Sequence, residues 1–118
     1  MENTETVTVE STPKACELLA QDLKQRFGAE NYQWTFENHV LFATSKNLIQ
    51  MMTTLRDELD FNMLLDVCGV DNSERPRSEW KHGKRFESVY HLLNMETHQR
   101  VRVRVPVDAE GGETVPTV

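Results

Sequence analysis

Few side chains in the chain are capable of nucleophilic, acid–base or metal chemistry, and they are scattered. The two cysteines of the 118-residue chain are Cys16 and Cys68, and the four histidines are His39, His82, His91 and His98. None has the spacing of a zinc or redox motif, and no glycine-rich loop has a phosphate-binding spacing. Because Cys68 ends an apolar run, we interpret it as a packed core thiol. We therefore expect no catalytic residue, no metal site and no cofactor-binding site.

The most conspicuous pattern is the alternation of arginine and valine over residues 100–105. Arg100, Arg102 and Arg104 would lie on one face of a strand, about 7 Å apart, where their charges repel unless carboxylates, phosphates or water surround them. One interpretation is solvent exposure or pairing within the chain, for which Glu87 is the nearby acid. Another is a docking surface for an acidic protein partner, and a third is an RNA-binding surface.

A polar loop at residues 71–85 contains Trp80 among five basic residues. A tryptophan exposed between basic side chains often anchors an interface, and the alternative is that it folds back onto the sheet edge. RNA-binding sheets place aromatic rings beside their arginines, for which Phe86 and Tyr90 are candidates, although their alternation fits a core equally well. The candidate docking residues are Arg100, Arg102, Arg104, Trp80 and Arg85.

The charge distribution limits the classes of partner. The formal net charge is −6; residues 13–74 carry 5 bases and 10 acids, whereas residues 75–104 carry 8 bases and 3 acids. An acidic chain with one basic segment disfavours general nucleic-acid affinity. No stretch approaches the roughly 20 apolar residues of a membrane-spanning helix, and the acidic N-terminus lacks an apolar secretory signal. We therefore expect a cytoplasmic protein with reduced thiols.

Hydrophobic periodicity predicts the elements that must position these residues. Apolar side chains spaced by three and four predict helices over residues 13–27 and 48–59. Alternating or continuous apolar runs predict strands at 32–36, 40–43, 63–70, 86–93 and 100–105. The order is therefore α-β-β-α-β-β-β. The nearly continuous apolar run at 63–70 is typical of a buried central strand.

This order predicts an α+β fold, a two-layer sandwich in which two helices pack on one face of a mixed five-stranded sheet. We expect a single domain over residues 12–107, preceded by a flexible N-terminal arm at 1–11 and followed by a linker or tail at 108–118. The other face of the sheet would carry the three arginines, so it must be solvated or covered by a partner.

Three segments, in this order, resemble the N-terminal domain of the thirty-kilodalton subunit (the C subunit) of respiratory complex I, the proton-pumping NADH:quinone oxidoreductase. The segments are Phe61–Asp71 (FNMLLDVCGVD), Arg85–Leu93 (RFESVYHLL) and Arg100–Val105 (RVRVRV). The family's later tryptophan and Glu-Arg-Glu motif is absent, so we expect the chain to stop before the family's C-terminal part. The loop at 72–85 is also longer than in many members of the family.

The resemblance implies a non-catalytic subunit of the peripheral arm, on the cytoplasmic side of the bacterial inner membrane. It implies contacts with the cluster-bearing subunits and with the forty-nine-kilodalton subunit (the D subunit), which lines the quinone cavity and is called the quinone-site subunit below. NADH, FMN, the iron–sulfur clusters and quinone would then be bound by other subunits of the complex. The alternatives are an RNA-binding or other protein-docking sheet module that uses the arginines, and a small enzyme that uses Cys68.

Overall fold

The computed structural model describes residues 13–35, 37–108 and 114–116. Its helices and strands are α1 (Pro13–Phe27), β1 (Tyr32–Thr35), β2 (Asn38–Phe42), α2 (Leu48–Asp57), β3 (Met63–Asp71), β4 (Phe86–Leu93) and β5 (Arg100–Val107). Short 3-10 turns lie at Ala29–Asn31, Arg77–Glu79 and Lys81–Gly83. The predicted arm at 1–11, the last residue of the strand predicted at 32–36, and most of the predicted tail lie outside the described residues.

The five strands form one sheet in the order β1-β2-β5-β4-β3. β2 and β5 run parallel, and the other three neighbouring pairs are antiparallel. The mixed five-stranded sheet and the order of the elements confirm the predicted α+β fold. β5 lies at the centre of the sheet, and its completely buried valines, Val103 and Val105, suit that position.

Both helices cover the same face of the sheet. Leu23 of α1 and Leu55 of α2 are completely buried, and they share one core cluster with Val101, Val103 and Val105 of β5. Burial of one such side chain contributes about 1.5–3 kcal/mol, so this cluster supplies much of the driving force for folding. The alternation of β5 sends its arginines to the opposite face.

The helix ends are set by local backbone interactions. α1 ends before Gly28, whose φ of 93° is a conformation that residues with a side chain rarely adopt. The N–H of Gly28 donates to the carbonyl of Lys24 at 2.9 Å. Asn47 precedes α2, but its side-chain oxygen accepts from the N–H of Thr44 at 2.8 Å instead of capping the helix. No helix in the described ranges is long and apolar enough to cross a bilayer.

β3 is an edge strand, so the prediction of a buried central strand at 63–70 is wrong. Four of its apolar side chains are more than 40% exposed, namely Met63, Leu64, Leu65 and Val67. β5 lies between β2 and β4, and this arrangement leaves β3 with one neighbouring strand among the described residues. Apolar runs report the hydrophobic character of a segment but not its position in the sheet, which is why the prediction failed.

The position predicted for Cys68 in the core is also wrong. It is half-buried on β3, opposite Val89 of β4, and Val89 in turn is aligned with Arg104 of β5. Cys68 therefore lies on the face of the sheet that carries the arginines, away from the core formed with the helices. The expectation of a packed core thiol is wrong because strand alternation directs this residue away from the helices.

Candidate functional site

The face of the sheet opposite the helices, hereafter the arginine face, carries Arg100, Arg102 and Arg104 as predicted. The parallel ladder aligns Val40 of β2 with Arg102 and Phe42 with Arg104. The neighbouring strands add both acids and polar groups to this face, namely Thr35, Asp66, Cys68, Glu87 and His91. The arginine face is therefore a mixed polar surface and not a uniformly basic one.

Arg104 is paired within the chain. Its Nε donates to Oε1 of Glu87 at 2.6 Å, and its Nη2 donates to Oε2 at 2.7 Å. The Asn72 amide donates a further hydrogen bond to Oε2 at 2.7 Å. Burial raises the pKa of Glu87, but the hydrogen bonds from Arg104 and Asn72 outweigh it and leave that pKa below its ordinary value. For Arg104, the structure supports the interpretation of pairing with Glu87.

Trp80 and Arg85 also have partners within the chain. The indole N–H of Trp80 donates to the carbonyl of Asn72 at 2.7 Å, so this half-buried side chain folds back onto its own loop. Arg85 donates two hydrogen bonds to Asp71, at 2.8 and 3.0 Å. These bonds, with one from the backbone of Ser73, hold the pKa of Asp71 well below its ordinary range. Trp80 thus closes the loop at 72–85 on itself, and Arg85 fastens the end of the loop to β3.

Arg102 differs from Arg104 because its Nε is buried and has no hydrogen-bond acceptor within the described residues. Oγ1 of Thr35 and Oδ1 of Asn72 are likewise buried without a partner there. All three atoms belong to residues that line one groove of about 260 Å³ on the arginine face. A buried polar atom without a partner costs about 1–3 kcal/mol, so this groove is suited to a polar occupant.

Asp66, Cys68 and His91 also come together on the arginine face. One ligand-type atom from each of the three side chains lies within 4.8 Å of the other two. No hydrogen bond joins the three among the residues that the structure describes, so the imidazole does not relay a proton from the thiol to the carboxylate. The hypothesis of a small enzyme built on Cys68 lacks the hydrogen-bonded geometry that activates a nucleophile. The sequence analysis missed this cluster because its members belong to different strands.

A second cysteine–histidine pair lies between α1 and the sheet. Sγ of Cys16 is 3.6 Å from Nε2 of His39, and the hydroxyl of Tyr32 is 2.8 Å from Nδ1. Burial lowers the pKa of His39 to about 4 and raises the pKa of Cys16, with Glu17 adding to the latter shift. Burial also raises the pKa of Tyr32 to about 12. All three groups are therefore neutral near pH 7. The cluster contributes to packing between α1 and the sheet, and Cys16 is not an activated thiol.

Comparison of the sequence with known proteins identifies its family. Residues 41–118 match the family model described as "Respiratory-chain NADH dehydrogenase, 30 Kd subunit". The chain belongs to this family. The match extends from β2 through β5, and it confirms the resemblance seen in the sequence of β3, β4 and β5.

Curated relatives support the same assignment. The chain is 37% identical over 87 residues to the C subunit of the NADH-quinone oxidoreductase of Phenylobacterium zucineum, covering 74% of this chain and 37% of the relative. It is 33% identical over 112 residues to the Vesicomyosocius okutanii protein of the same name, covering 75% and 55%. The corresponding Neisseria meningitidis protein is 44% identical over 75 residues, covering 62% and 38%. The chain therefore spans between about a third and a little over half of these relatives.

The aromatic side chains proposed for the alternative of an RNA-binding module are not exposed on the arginine face. Tyr90 is buried in the core, and Phe86 pairs with Val107 on the helix side of the sheet. Phe42 does lie on the arginine face, but it is only 5% exposed, beneath Lys81. Within the described residues, the arginine face therefore offers no exposed aromatic ring on which a base could stack.

Proposed function

We propose that this chain acts as a non-catalytic subunit of the peripheral arm of a proton-translocating NADH:quinone oxidoreductase, where its surfaces hold neighbouring subunits together. Membership of the family and the names of the curated relatives support this proposal. The chain would lie on the cytoplasmic side of the bacterial inner membrane. NADH, FMN, the iron–sulfur clusters and quinone would be bound by other subunits of the complex.

The observation that carries the proposal is the exposed apolar surface along β3. Leu64, Leu65 and Val67 are 44–48% exposed on a strand whose outer edge has no neighbouring strand in the described sheet. Ile49 of α2 is 51% exposed, and it lines a groove of about 290 Å³ together with Leu64. Exposed apolar side chains along a free sheet edge favour association, which suits a subunit of a larger assembly better than an isolated protein.

The arginine face is the second proposed contact surface, and the quinone-site subunit is the proposed principal partner. Arg100 is exposed at the start of β5, and Arg102 contributes the unpartnered Nε of the groove. Arg104, Trp80 and Arg85 already have partners within the chain, so their proposed role is to shape the surface. A carboxylate on the partner could accept from Arg102 with little rearrangement.

The test of the β3 surface is co-purification with the quinone-site subunit of the same organism after co-expression. We expect Val67→Lys to weaken the association at least tenfold, because it places a charge in an apolar contact. Leu18→Lys is the matched control, since Leu18 is 57% exposed on α1, and α1 contacts β1 at the opposite edge of the sheet from β3. Undiminished association of Val67→Lys, with a Tm equal to that of the control, would rule out the β3 contact.

The arginine face is tested in the same assay by charge reversal. Arg100→Glu combined with Arg102→Glu should weaken association with the quinone-site subunit and make the residual binding less sensitive to salt. Lys14→Glu combined with Lys46→Glu changes the net charge by the same amount and is the control, since both lysines are exposed. Arg104 is left intact because reversing it would break the pair with Glu87. Equal effects of the two reversals would show that only net charge matters.

A further inference from the structure

Asp66, Cys68 and His91 are brought together by the pairing of β3 with β4. Asp66 lies directly opposite His91 in the ladder, and Cys68 is two residues further along β3 on the same face. A bulge between Leu64 and Asp66 sets this register. Without the bulge, alternation would place Asp66 on the same side as Leu64, which lines a groove with α2. The bulge therefore directs the carboxylate towards the imidazole.

The distances within this cluster suit a shared cation. The three donor atoms lie within 4.8 Å of one another, so there is a point no more than about 2.8 Å from any of them. Zinc ligand distances are about 2.0–2.3 Å, so each donor must move by less than about 1 Å. Asp66 is exposed, and Cys68 and His91 are half-buried, so small side-chain rotations can supply that movement. Because the three are not hydrogen-bonded to one another, coordination would not disrupt a bond between them.

The cluster is accessible from solvent on two sides. Cys68 and His91 line the groove of about 260 Å³ that also holds the Nε of Arg102. Asp66 and His91 line a neighbouring groove of about 390 Å³. An ion can therefore reach the three donors, and the open side leaves room for water at a fourth coordination position.

The donor types and their charges also suit a divalent ion. The imidazole of His91 can offer a metal ion the ring nitrogen that does not carry its proton. A divalent ion would displace the thiol proton of Cys68 to solvent, and the resulting thiolate and the carboxylate would balance its two charges. The neighbouring arginines therefore face a neutral centre.

We propose that Asp66, Cys68 and His91 form a three-ligand binding site for Zn²⁺ or another transition-metal ion of similar softness. Sulfur, imidazole and carboxylate donors together select such ions, since Mg²⁺ and Ca²⁺ take oxygen ligands. The site links β3 to β4 at the edge of the sheet. This proposal does not depend on the assembly role and stands or falls on metal binding alone.

The test uses Co²⁺ as a spectroscopic probe and Zn²⁺ as its competitor, with the complete 118-residue chain under reducing conditions. We expect one equivalent of Co²⁺ to produce a thiolate-to-cobalt charge-transfer band that Zn²⁺ abolishes. Cys68→Ser should eliminate the band. Asp66→Asn and His91→Gln should each weaken Co²⁺ binding at least tenfold, because each leaves two strong ligands. Zn²⁺ should also raise the Tm of the unaltered chain, since it binds only the folded site.

Two controls separate this site from adventitious binding. Cys16→Ser removes the other thiol, and His82→Gln removes an exposed histidine in the loop. Both should retain the band and its one-to-one stoichiometry. Persistence of the band in Cys68→Ser, or its loss in Cys16→Ser, would overturn the assignment, as would the absence of saturable binding. Circular dichroism of every variant establishes that the fold is intact before its metal affinity is compared.

Discussion

The pair formed by Glu87 and Arg104 is expected to be the most costly polar interaction to remove. Glu87→Gln keeps the shape of the side chain but removes its charge, which leaves Arg104 without a counter-ion. The Glu87 side chain is only 1% exposed and that of Arg104 is 22% exposed, so water can compensate only in part. We expect the free energy of unfolding to fall by about 3 kcal/mol.

The magnitude follows from the hydrogen bonds at this carboxylate. Two of them come from Arg104, at 2.6 and 2.7 Å, and one comes from Asn72 at 2.7 Å. Hydrogen bonds to a charged group contribute about 1.5–3 kcal/mol each, and removal of one partner from a buried pair costs about 3–5 kcal/mol. The glutamine oxygen can still accept one bond, and Arg104 is partly hydrated, so the lower end applies. A loss of this size lowers the Tm by about 10–20 °C.

Urea unfolding followed by circular dichroism measures this loss, and a double-mutant cycle isolates the pair. Arg104→Met removes the guanidinium, and the double variant should be more stable than additivity predicts by about 1.5 kcal/mol or more. The exposed pair of Arg85 and Asp71 is the matched control, and Asp71→Asn should lower the stability far less than Glu87→Gln does. A cost below about 1 kcal/mol for Glu87→Gln, or strict additivity in the cycle, would contradict the energy assigned to this pair.

Further outcomes follow from single residues. Folding lowers the pKa of Glu87, so the ionised carboxylate stabilises the folded chain fully above about pH 4.3, and this stabilisation is lost as the pH falls through the pKa of the folded state. The free energy of unfolding of Glu87→Gln, measured with urea, should therefore depend less on pH below about pH 4 than that of the unaltered chain. Folding lowers the pKa of His39 from an ordinary value of about 6.5 to about 4, so between these pH values only the unfolded chain takes up the proton. The free energy of unfolding should therefore fall by about 2–3 kcal/mol from pH 6.5 to pH 4, and urea unfolding of His39→Gln should not show this fall. Gly28→Ala should cost about 1–2 kcal/mol because of its φ of 93°, measured by the urea midpoint. Leu23→Ala should cost about 2–5 kcal/mol by the same measurement, because the side chain is completely buried.

The sequence predicted those features that depend on local pattern. The alternation in β5 correctly separated the buried valines from the arginines, and the spacing of α1 correctly predicted its limits at Pro13 and Phe27. The three strand sequences were also sufficient to suggest the family. These successes share a cause, because periodicity and turn chemistry are properties of residues close together in the chain.

The failures concern contacts between distant strands. The position of β3 at the edge depends on the parallel pairing of β2 with β5, which joins Leu41 to Val103 across a long stretch of sequence. The meeting of Cys68 with His91 likewise depends on strand register and a bulge. No local pattern encodes either feature, because loop lengths and competing strands decide which edges pair.

The position of β5 has a consequence for how the protein is made. β1 with β2, and β3 with β4, can each form as a hairpin while the polypeptide is still emerging from the ribosome, but the described sheet joins the two hairpins only through β5. Their union must therefore wait for Arg100–Val107 to be translated. Until then the two halves expose unpaired strand edges, and the sheet closes only when β5 inserts between β2 and β4.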